Sequence, residues 1–228
     1  MNLGVPTTVT PRTMPTKNVL VGQSVRLEPL STDHLDALWQ SCESEETSFI
    51  YLRYGPFATK DELADLIAGL STRSEQPFWA VLPIASGKAE GWLSLCDIYP
   101  TDAAIEIGSI WFSPKLQRTR AAREAMFLLM QLAMDQLGYQ RLVWRCQAEN
   151  QKSHDAAVRL GFVYEGTWRN AAIVDGYQRS VAWFSILADE WPAHRAALQL
   201  WLSDENFDQD GSPRRSLSDI RLANSITG

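Results

Sequence analysis

The sequence predicts an α/β fold, with a mixed, mostly antiparallel twisted sheet of about seven strands flanked by helices. Apolar runs of strand length alternate with longer segments whose apolar residues recur every three or four positions, the spacing of amphipathic helices. One such helix, after Phe112, separates two strands. A helix in that place requires a crossover, which makes the two strands parallel, while short turns elsewhere make neighbouring strands antiparallel.

The first half of the domain carries a boundary signal at most of its elements. Ser31 or Thr32 caps a helix that reaches about Ser41, and a second helix covers residues 59–70. The sequence Ser86-Gly87-Lys88 is a turn signal, which joins two strands into a hairpin. The strands predicted in this half are residues 25–30, 78–84, 91–98 and 105–112.

The second half begins with the longest helix, residues 121–137, which Gly138 ends. A strand at 141–147 is followed by a helix at 151–160, which Asn150 caps and Gly161 ends. Strands at 162–168 and 180–187 form a long hairpin with Asp175-Gly176 as its turn. A helix at 191–202 closes the domain.

Both ends differ in composition from the domain that they flank. Pro6, Pro11 and Pro15 lie among threonines in residues 1–18, which predicts a flexible N-terminal segment. Residues 204–228 are rich in acidic residues and serine, and predict a polar C-terminal tail with little to bury. The folded domain is therefore expected to span residues 19–203.

Charge and composition argue against several functional classes. The formal net charge of -6 argues against nonspecific binding to nucleic acid. No apolar run approaches the ~20 residues that span a bilayer, so no membrane interaction is expected. The three cysteines lack zinc or disulfide spacing and the three histidines are scattered, which predicts no metal site and a cytoplasmic location.

The segment from Gln117 to Arg123 lies where the longest helix begins. A helix N-terminus presents unpaired backbone N–H groups and a partial positive charge, so arginines there are unfavourable unless an anion lies with them. Arg118, Arg120 and Arg123 occupy this end. The segment therefore predicts a site for phosphate or pyrophosphate, with a solvated basic loop as the alternative.

Several short motifs follow one another in a specific order. They are Glu106-Ile107-Gly108, Phe112-Ser113-Pro114, Leu137-Gly138-Tyr139-Gln140-Arg141, Asn150-Gln151-Lys152-Ser153, Leu160-Gly161-Phe162, Glu165-Gly166-Thr167-Trp168-Arg169 and Phe184-Ser185-Ile186-Leu187. With them the chain resembles the Gcn5-related N-acetyltransferase (GNAT) superfamily, in its Rim-type branch of ribosomal-protein N-acetyltransferases. The resemblance covers roughly residues 20–192 and implies a GNAT fold whose splayed fourth and fifth strands, 105–112 and 141–147, hold acetyl-CoA.

The resemblance also implies which residues bind acetyl-CoA as cosubstrate. The family's loop pattern, Gln/Arg-x-x-Gly-x-Gly/Ala, holds the pyrophosphate by backbone N–H groups. The implied cofactor contacts are Trp111, Phe112, Gln117, Arg118, Thr119, Arg120, Ala121, Ala122, Arg123, Asn150 and Ser153. Arg120 stands where the pattern has glycine, so either it keeps a helical φ or cofactor affinity falls, unless its guanidinium contacts phosphate directly.

Two residues are candidates for the chemistry of acetyl transfer. Glu106 is the candidate base, because a carboxylate in a central strand should have a raised pKa; a structural pair with an arginine such as Arg145 is the alternative. Ser153 could donate to the thiolate, or be a solvated helix serine. Many members of the superfamily have a tyrosine acid seven residues after the position of Asn150, and here that position is Ala157.

These expectations combine into a prediction of an N-acetyltransferase that moves the acetyl group of acetyl-CoA directly to a primary amine. The acceptor is a peptide N-terminus or a small molecule, and the net acidity mildly favours a cationic one. A CoA-binding sensor or scaffold without turnover is the alternative, favoured by Arg120 and Ala157. The aromatic segment 49–57 either borders the acceptor channel or anchors a loop to the core. A homodimer is compatible with the sequence.

Overall fold

The computed structural model describes residues 4, 6 and 10–226 of the chain. Their strands form one mixed sheet in the order β1-β2-β3-β4-β5-β6-β8-β7. The strands are β1 Leu20–Val21, β2 Val25–Pro29, β3 Phe78–Pro83, β4 Gly91–Tyr99, β5 Ala104–Phe112, β6 Arg141–Gln147, β7 Val163–Val174 and β8 Tyr177–Leu187. The α-helices are α1 Leu35–Cys42, α2 Lys60–Ser71, α3 Arg120–Gln131, α4 Gln151–Leu160, α5 Trp191–Leu202 and α6 Leu217–Ile226.

The predicted fold class is confirmed, with one strand more than expected. The sequence pattern missed the two-residue β1, which is too short to show a period. The predicted crossover is present, because α3 connects β5 to β6 and these two strands pair in parallel. The remaining neighbours in the sheet are antiparallel.

Local capping sets the starts of several helices. The hydroxyl of Ser31 accepts a hydrogen bond from the Asp33 N–H in a capping box, so a short 3-10 turn precedes α1. Thr59 caps α2 through the Glu62 N–H. Asn150 caps α4, and Gly161, with φ 107°, ends it in the left-handed conformation that glycine tolerates.

The long helix predicted at 121–137 consists of two parts. α3 ends at Gln131 and continues as a π-helical turn, Leu132–Gln136, before Gly138 reverses the chain with φ 70°. A wider turn has no separate sequence signal, because it keeps the apolar spacing of a helix. The β7–β8 hairpin is also longer than predicted, with Asp175-Gly176 as its turn.

The segment 204–228 was expected to bury little, and the structure corrects that expectation. Residues Leu217–Ile226 form α6, which packs against α5 and α4. Leu217 and Ile220 are buried in the main core. The apolar side chains of this segment are too few and too widely spaced among polar ones to predict a core contact from sequence.

The predicted flexible N-terminal segment lies partly outside the described residues. Its described portion contacts the domain: Arg12 N–H donates to Pro100 O, and Tyr139 OH donates to Thr13 O. Trp79 Nε1 donates to Asn18 O at 2.8 Å, which ties the end of this segment to the sheet.

Two apolar cores lie on the sheet. The larger one packs α3, α4, α5 and α6 against it, and the smaller one packs α1 and α2 around Trp92 and Trp111. Among the described residues, no helix is both long and apolar enough to cross a membrane.

Glu124 in α3 joins the helix to the turn between β1 and β2. Its side chain is buried and accepts hydrogen bonds from Gln23 N, Ser24 N and Ser24 Oγ at 2.5–2.7 Å. Hydrogen bonds to a charged group contribute more to the free energy of unfolding than bonds between neutral groups. A buried donor that is left unpaired destabilises the fold by the full free energy of its desolvation.

We expect Glu124→Ala to lower the free energy of unfolding by about 2–4 kcal/mol, because three donors lose their acceptor. Urea unfolding measures this change. Glu43→Ala is the control, because Glu43 is exposed and should change stability by about 0.5 kcal/mol or less. An equal effect of both variants would contradict a structural role for Glu124.

Candidate functional site: a split between two parallel strands

The parallel strands β5 and β6 separate after a short stretch of pairing. In these two fully described strands the pairs are Ala104–Arg141, Ile105–Leu142 and Glu106–Val143. Beyond Glu106, β5 continues to Phe112 beside β4, and β6 stays paired with β8 to its end. The backbone edges that face each other past this point can therefore accept an extended ligand.

Two helices begin at the open end of this split. α3 follows β5 and α4 follows β6, so both helix N-termini lie at the carboxyl edge of the parallel pair. In sheets with parallel strands, ligands bind where neighbouring connections leave the sheet in this way. The end of pairing after Glu106 confirms the predicted splay of these two strands.

The loop before α3 is held by its own side chains. Gln117 Nε2 donates to Phe112 O at 2.9 Å, so this side chain fastens the loop to the end of β5. Thr119 is the N-cap: its Oγ1 accepts from the Ala122 N–H at 3.1 Å and donates to Leu116 O at 2.7 Å. The loop is therefore preorganised by protein contacts.

The strained residue of this loop is Arg118 and not Arg120. Arg118 has φ 67°, which is costly for a residue with a Cβ. Arg120 is the first residue of α3 and keeps a helical conformation. The sequence left open whether Arg120 keeps a helical φ or reduces cofactor affinity, and in the structure it keeps the helical φ.

The first turn of α3 combines small side chains with unpaired backbone N–H groups. Ala121 and Ala122 are 8% and 7% exposed and pack on the main core. In this described part of the chain the N–H groups of Arg120 and Ala121 have no acceptor within the protein, as is usual in a first helical turn. Together with the helix dipole they suit a diphosphate.

The guanidinium of Arg120 points to the C-terminal part of the chain. It donates to Gln23 Oε1 at 2.8 Å and to Leu202 O, and pairs with Asp204 Oδ1 at 2.7 Å. It also lies 4.5 Å from the centre of the Phe207 ring. From the sequence, a direct phosphate contact was considered for this side chain. Its actual partners lie in segments distant in sequence, for which no local pattern gives a signal.

Glu106 lies at the last pair before the split. Its carboxylate contacts Arg145 Nε from β6, and Arg145 also bonds Asp97, whose φ is 41°. The pairing with Arg145 that was considered as an alternative role for Glu106 is therefore present. Gly108 leaves room for the carboxylate, since a Cβ built there would lie 2.9 Å from Glu106 Oε1.

The pKa of Glu106 departs from its ordinary value in the predicted direction. The side chain is only 8% exposed, and burial raises its pKa from 4.5 to about 8. A hydrogen bond from Cys96 acts in the opposite direction. The contact with Arg145 also favours the ionised form, so burial competes with two neighbours at this carboxyl.

Asn150 and Ser153 come together in the first turn of α4. Asn150 Oδ1 accepts the Ser153 N–H at 3.1 Å, which is the predicted capping role. Ser153 Oγ accepts from Trp144 Nε1 at 3.0 Å and also hydrogen-bonds Cys146. Ser153 is thus partly buried and is hydrogen-bonded to side chains of β6.

The aromatic segment 49–57 is anchored to the smaller core. The Phe49 ring stacks on Trp111 with centroids 5.0 Å apart. Tyr54 OH accepts from Trp92 Nε1 at 3.0 Å and donates to Ser109 O at 3.3 Å. Anchoring to the core was one of the two roles considered for this segment. The chain between Phe49 and Tyr54 also reaches the end of β6, where Gln147 Nε2 donates to Tyr51 O at 3.3 Å.

A small cavity of about 220 Å³ lies on β6, β7 and β8, on the face that carries Arg145. It is lined by Arg141, Glu165, Gly166, Trp168 and Trp183. The Arg145 guanidinium lies 4.8 Å from the centre of the Trp183 ring, so the cavity borders the Arg145–Glu106 pair. An open depression of about 800 Å³ adjoins it at residues 168–171 and Ser180.

Sequence reasoning missed two partners in this site, Asp97 and Cys96. Both contact the Glu106–Arg145 pair through the β4–β5 register, in which Cys96 lies opposite Glu106. Without that register neither residue has a recognisable pattern. Within the described ranges, no three His, Cys, Asp or Glu side chains are grouped so that they could hold a metal ion.

Comparisons with known proteins agree with this geometry. The family model of the acetyltransferase (GNAT) domain matches residues 24–163. A crystal structure of a GCN5-related N-acetyltransferase from Brucella melitensis is 42% identical, with a TM-score of 0.91 over 93% of this chain and 98% of that one. A GNAT-family structure from Chromobacterium violaceum ATCC 12472 is 34% identical, with a TM-score of 0.78 over 84% of this chain and 98% of that one.

A curated relative from Bacillus subtilis (strain 168) carries the name "Putative ribosomal N-acetyltransferase YdaF". It is 26% identical over 109 residues, which are 48% of this chain. The match spans 59% of that protein's own length.

The raised pKa of Glu106 predicts a pH-dependent stability. Between pH 4.5 and about 8 the folded state binds more protons than the unfolded state, so the free energy of unfolding falls as pH rises. Glu106→Gln removes this titration. We expect the variant to gain stability relative to wild type from pH 5 to 8, by at most about 1.4 kcal/mol per pH unit.

Chemical unfolding at several pH values measures the difference. Glu43→Gln, at an exposed position, is the control and should follow wild type throughout. A difference between Glu106→Gln and wild type that does not change with pH would mean that the ion pair with Arg145 outweighs burial.

Proposed function

This chain belongs to the family of GNAT acetyltransferases, and from that premise we propose that it moves the acetyl group of acetyl-CoA directly to a primary amine. The observation that carries the proposal is the split between β5 and β6. It combines an exposed backbone edge, a helix N-terminus for the diphosphate and a buried carboxyl at its closed end. Each of these serves one part of the reaction.

The proposed binding of acetyl-CoA uses mainly backbone groups. The diphosphate lies at the N–H groups of Arg120 and Ala121, where the helix dipole is favourable and small side chains permit close approach. Arg118 is exposed at the same loop and adds a positive charge. The pantetheine arm follows the free edge of β5 near Trp111 and Phe112.

Acetyl-CoA supplies an activated thioester, and the protein must manage the protons. The attacking amine has to be neutral, so a base must accept its proton. Glu106, with a pKa near 8, is matched to that task near neutral pH, directly or through water. Arg145 holds the carboxylate in place and stabilises it when it is ionised.

The leaving thiolate requires a donor. Ser153 accepts a hydrogen bond from Trp144, which orients its hydroxyl, and its own proton can turn from Cys146 to the thiolate. We propose that Ser153 donates to the thiolate, because Ala157 occupies the position of the tyrosine acid of many relatives and is fully buried in the core.

Direct transfer is favoured over an acetyl-cysteine intermediate. Burial raises the pKa of both Cys96 and Cys146, and in Cys96 the charge of Glu106 adds to the effect. A thiol with a raised pKa is a poor nucleophile near neutral pH.

For the acceptor we propose a peptide or small-molecule amine that approaches over the cavity beside Arg145. Its wall combines Trp168 and Trp183 with the Arg141–Glu165 ion pair, a surface on which the apolar part of an acceptor packs against the rings and its polar groups meet charged ones. The Bacillus subtilis relative, by its name, suggests a peptide N-terminus. The competing role, a CoA-binding module without turnover, loses one of its two arguments, because Arg120 keeps a helical φ.

The decisive test is turnover of acetyl-CoA with a panel of peptide and small-molecule amines. We expect Glu106→Gln to lower kcat by about 10²–10⁴, the usual contribution of a general base, and to change CoA affinity by no more than a few-fold. Glu43→Gln is the control for kcat. Binding of CoA without turnover of any amine would support the sensor module, and full activity of Glu106→Gln would show that another group takes the proton.

Arg118 separates the effects of strain and charge. Arg118→Gly relieves the positive φ, so we expect the free energy of unfolding to rise by about 0.5–1 kcal/mol while CoA affinity falls roughly tenfold. Arg118→Lys keeps the strain and the charge, and should leave both quantities near wild type. Calorimetry and urea unfolding measure them. Unchanged CoA affinity in Arg118→Gly would place the diphosphate away from this loop.

A further inference from the structure

Three arginines from three different helices approach one another beside the start of α3. They are Arg123 in the first turn of α3, Arg159 in the last turn of α4 and Arg221 in α6. We refer to these three residues as the arginine cluster. They lie far apart in sequence, and of the three only Arg123 belongs to the segment predicted to bind phosphate.

The contacts of the arginine cluster fix its position. The Arg123 guanidinium lies over the Trp201 ring of α5, 3.7 Å from the ring centre. Arg221 Nη2 donates to Val158 O at 3.1 Å, next to Arg159. A Cβ built on Gly161 would lie 2.9 Å from Arg221 Nη1, so α6 rests closely on the end of α4.

The charges of the cluster act on one another. Burial lowers the pKa of Arg123 to about 10, and the charges of Arg159 and Arg221 add to that effect. No carboxylate in the described part of the chain forms an ion pair with Arg123 or Arg159, although the chain as a whole carries a net charge of -6. Concentrated like charge is unfavourable unless an anion compensates it.

The cluster lies next to the proposed diphosphate site. Arg123 is three residues, about one helical turn, from Arg120. In CoA one ribose carries the diphosphate at its 5′ position and a phosphate monoester at its 3′ position. A CoA molecule whose diphosphate lies on the first turn of α3 therefore has its second phosphate within reach of side chains around that turn.

We propose that the arginine cluster binds the 3′-phosphate of CoA, a dianionic phosphate monoester. The assignment rests on the proposed function, since it assumes that CoA is the ligand of the α3 loop. Arginine forms paired, charge-assisted hydrogen bonds with phosphate oxygens, and Trp201 holds Arg123 in position for them. The match to the family model ends at residue 163. Trp201 and Arg221 lie beyond it, so this part of the proposed site is formed by residues outside the matched range.

The test compares CoA with 3′-dephospho-CoA, which has the same diphosphate, pantetheine arm and thiol. Calorimetry on the wild type should show that CoA binds at least tenfold more tightly, the scale of a charge-assisted hydrogen bond. Arg159→Ala should reduce this preference to about threefold or less by weakening CoA alone, and Arg159→Lys should retain part of it. Arg159 is exposed, so its variants should fold, which thermal unfolding checks.

Arg195→Ala is the matched control. Arg195 is a half-exposed arginine of α5 that pairs with Asp135 in the π-helical turn after α3, and its removal should leave the preference for CoA unchanged. Inorganic phosphate is the third ligand in the titration. If it binds wild type as tightly as CoA and loses this binding in Arg159→Ala, free phosphate is the ligand of the cluster and the assignment is overturned.

The outcomes separate this proposal from the proposed function. Equal binding of CoA and 3′-dephospho-CoA to wild type would overturn the 3′-phosphate site and leave acetyl transfer intact. A preference for CoA that Arg159→Ala does not reduce would also overturn it. Failure of both molecules to bind would overturn the 3′-phosphate site together with the proposed function.

Discussion

The early end of pairing between β5 and β6 is the constraint on which the site depends. A parallel pair that hydrogen-bonds at only three positions leaves the rest of the β5 edge unsatisfied on that side. The sheet tolerates this because β6 pairs fully with β8 and β5 stays with β4. Unpaired backbone groups are costly when buried, so a ligand that restores their hydrogen bonds is favoured there.

The start of α3 is held on several sides, which keeps its backbone N–H groups in one place. Thr119 caps the helix, and Glu124 joins it to the turn between β1 and β2. Arg120 and Arg123 attach it to the C-terminal part of the chain through Asp204 and Trp201. Rigid donors bind an anion with little loss of conformational entropy, so these contacts favour the proposed binding of the diphosphate.

Glu106 has both features that the sequence presented as alternatives, an arginine partner and a raised pKa, and together they support its proposed role as the base. The ion pair with Arg145 links the two separating strands at the last point where they meet, and burial keeps the carboxyl easy to protonate. A base needs both properties, because it must be positioned and must also exchange a proton near neutral pH. Asp97 accepts from Nη2 of Arg145, so the arginine is shared between two carboxylates.

The sequence by itself predicted most of the elements, the crossover at α3 and the cap at Asn150, because these follow from local periodicity and end signals. Tertiary structure decided what those signals cannot encode: the partners of Arg120, the register that places Cys96 beside Glu106, and the burial of Leu217 in a segment that looks polar. It also decided where strain lies, at Arg118 and not at Arg120. The physical reason is that contacts between distant segments depend on how whole elements pack, and no local pattern of residues records that packing.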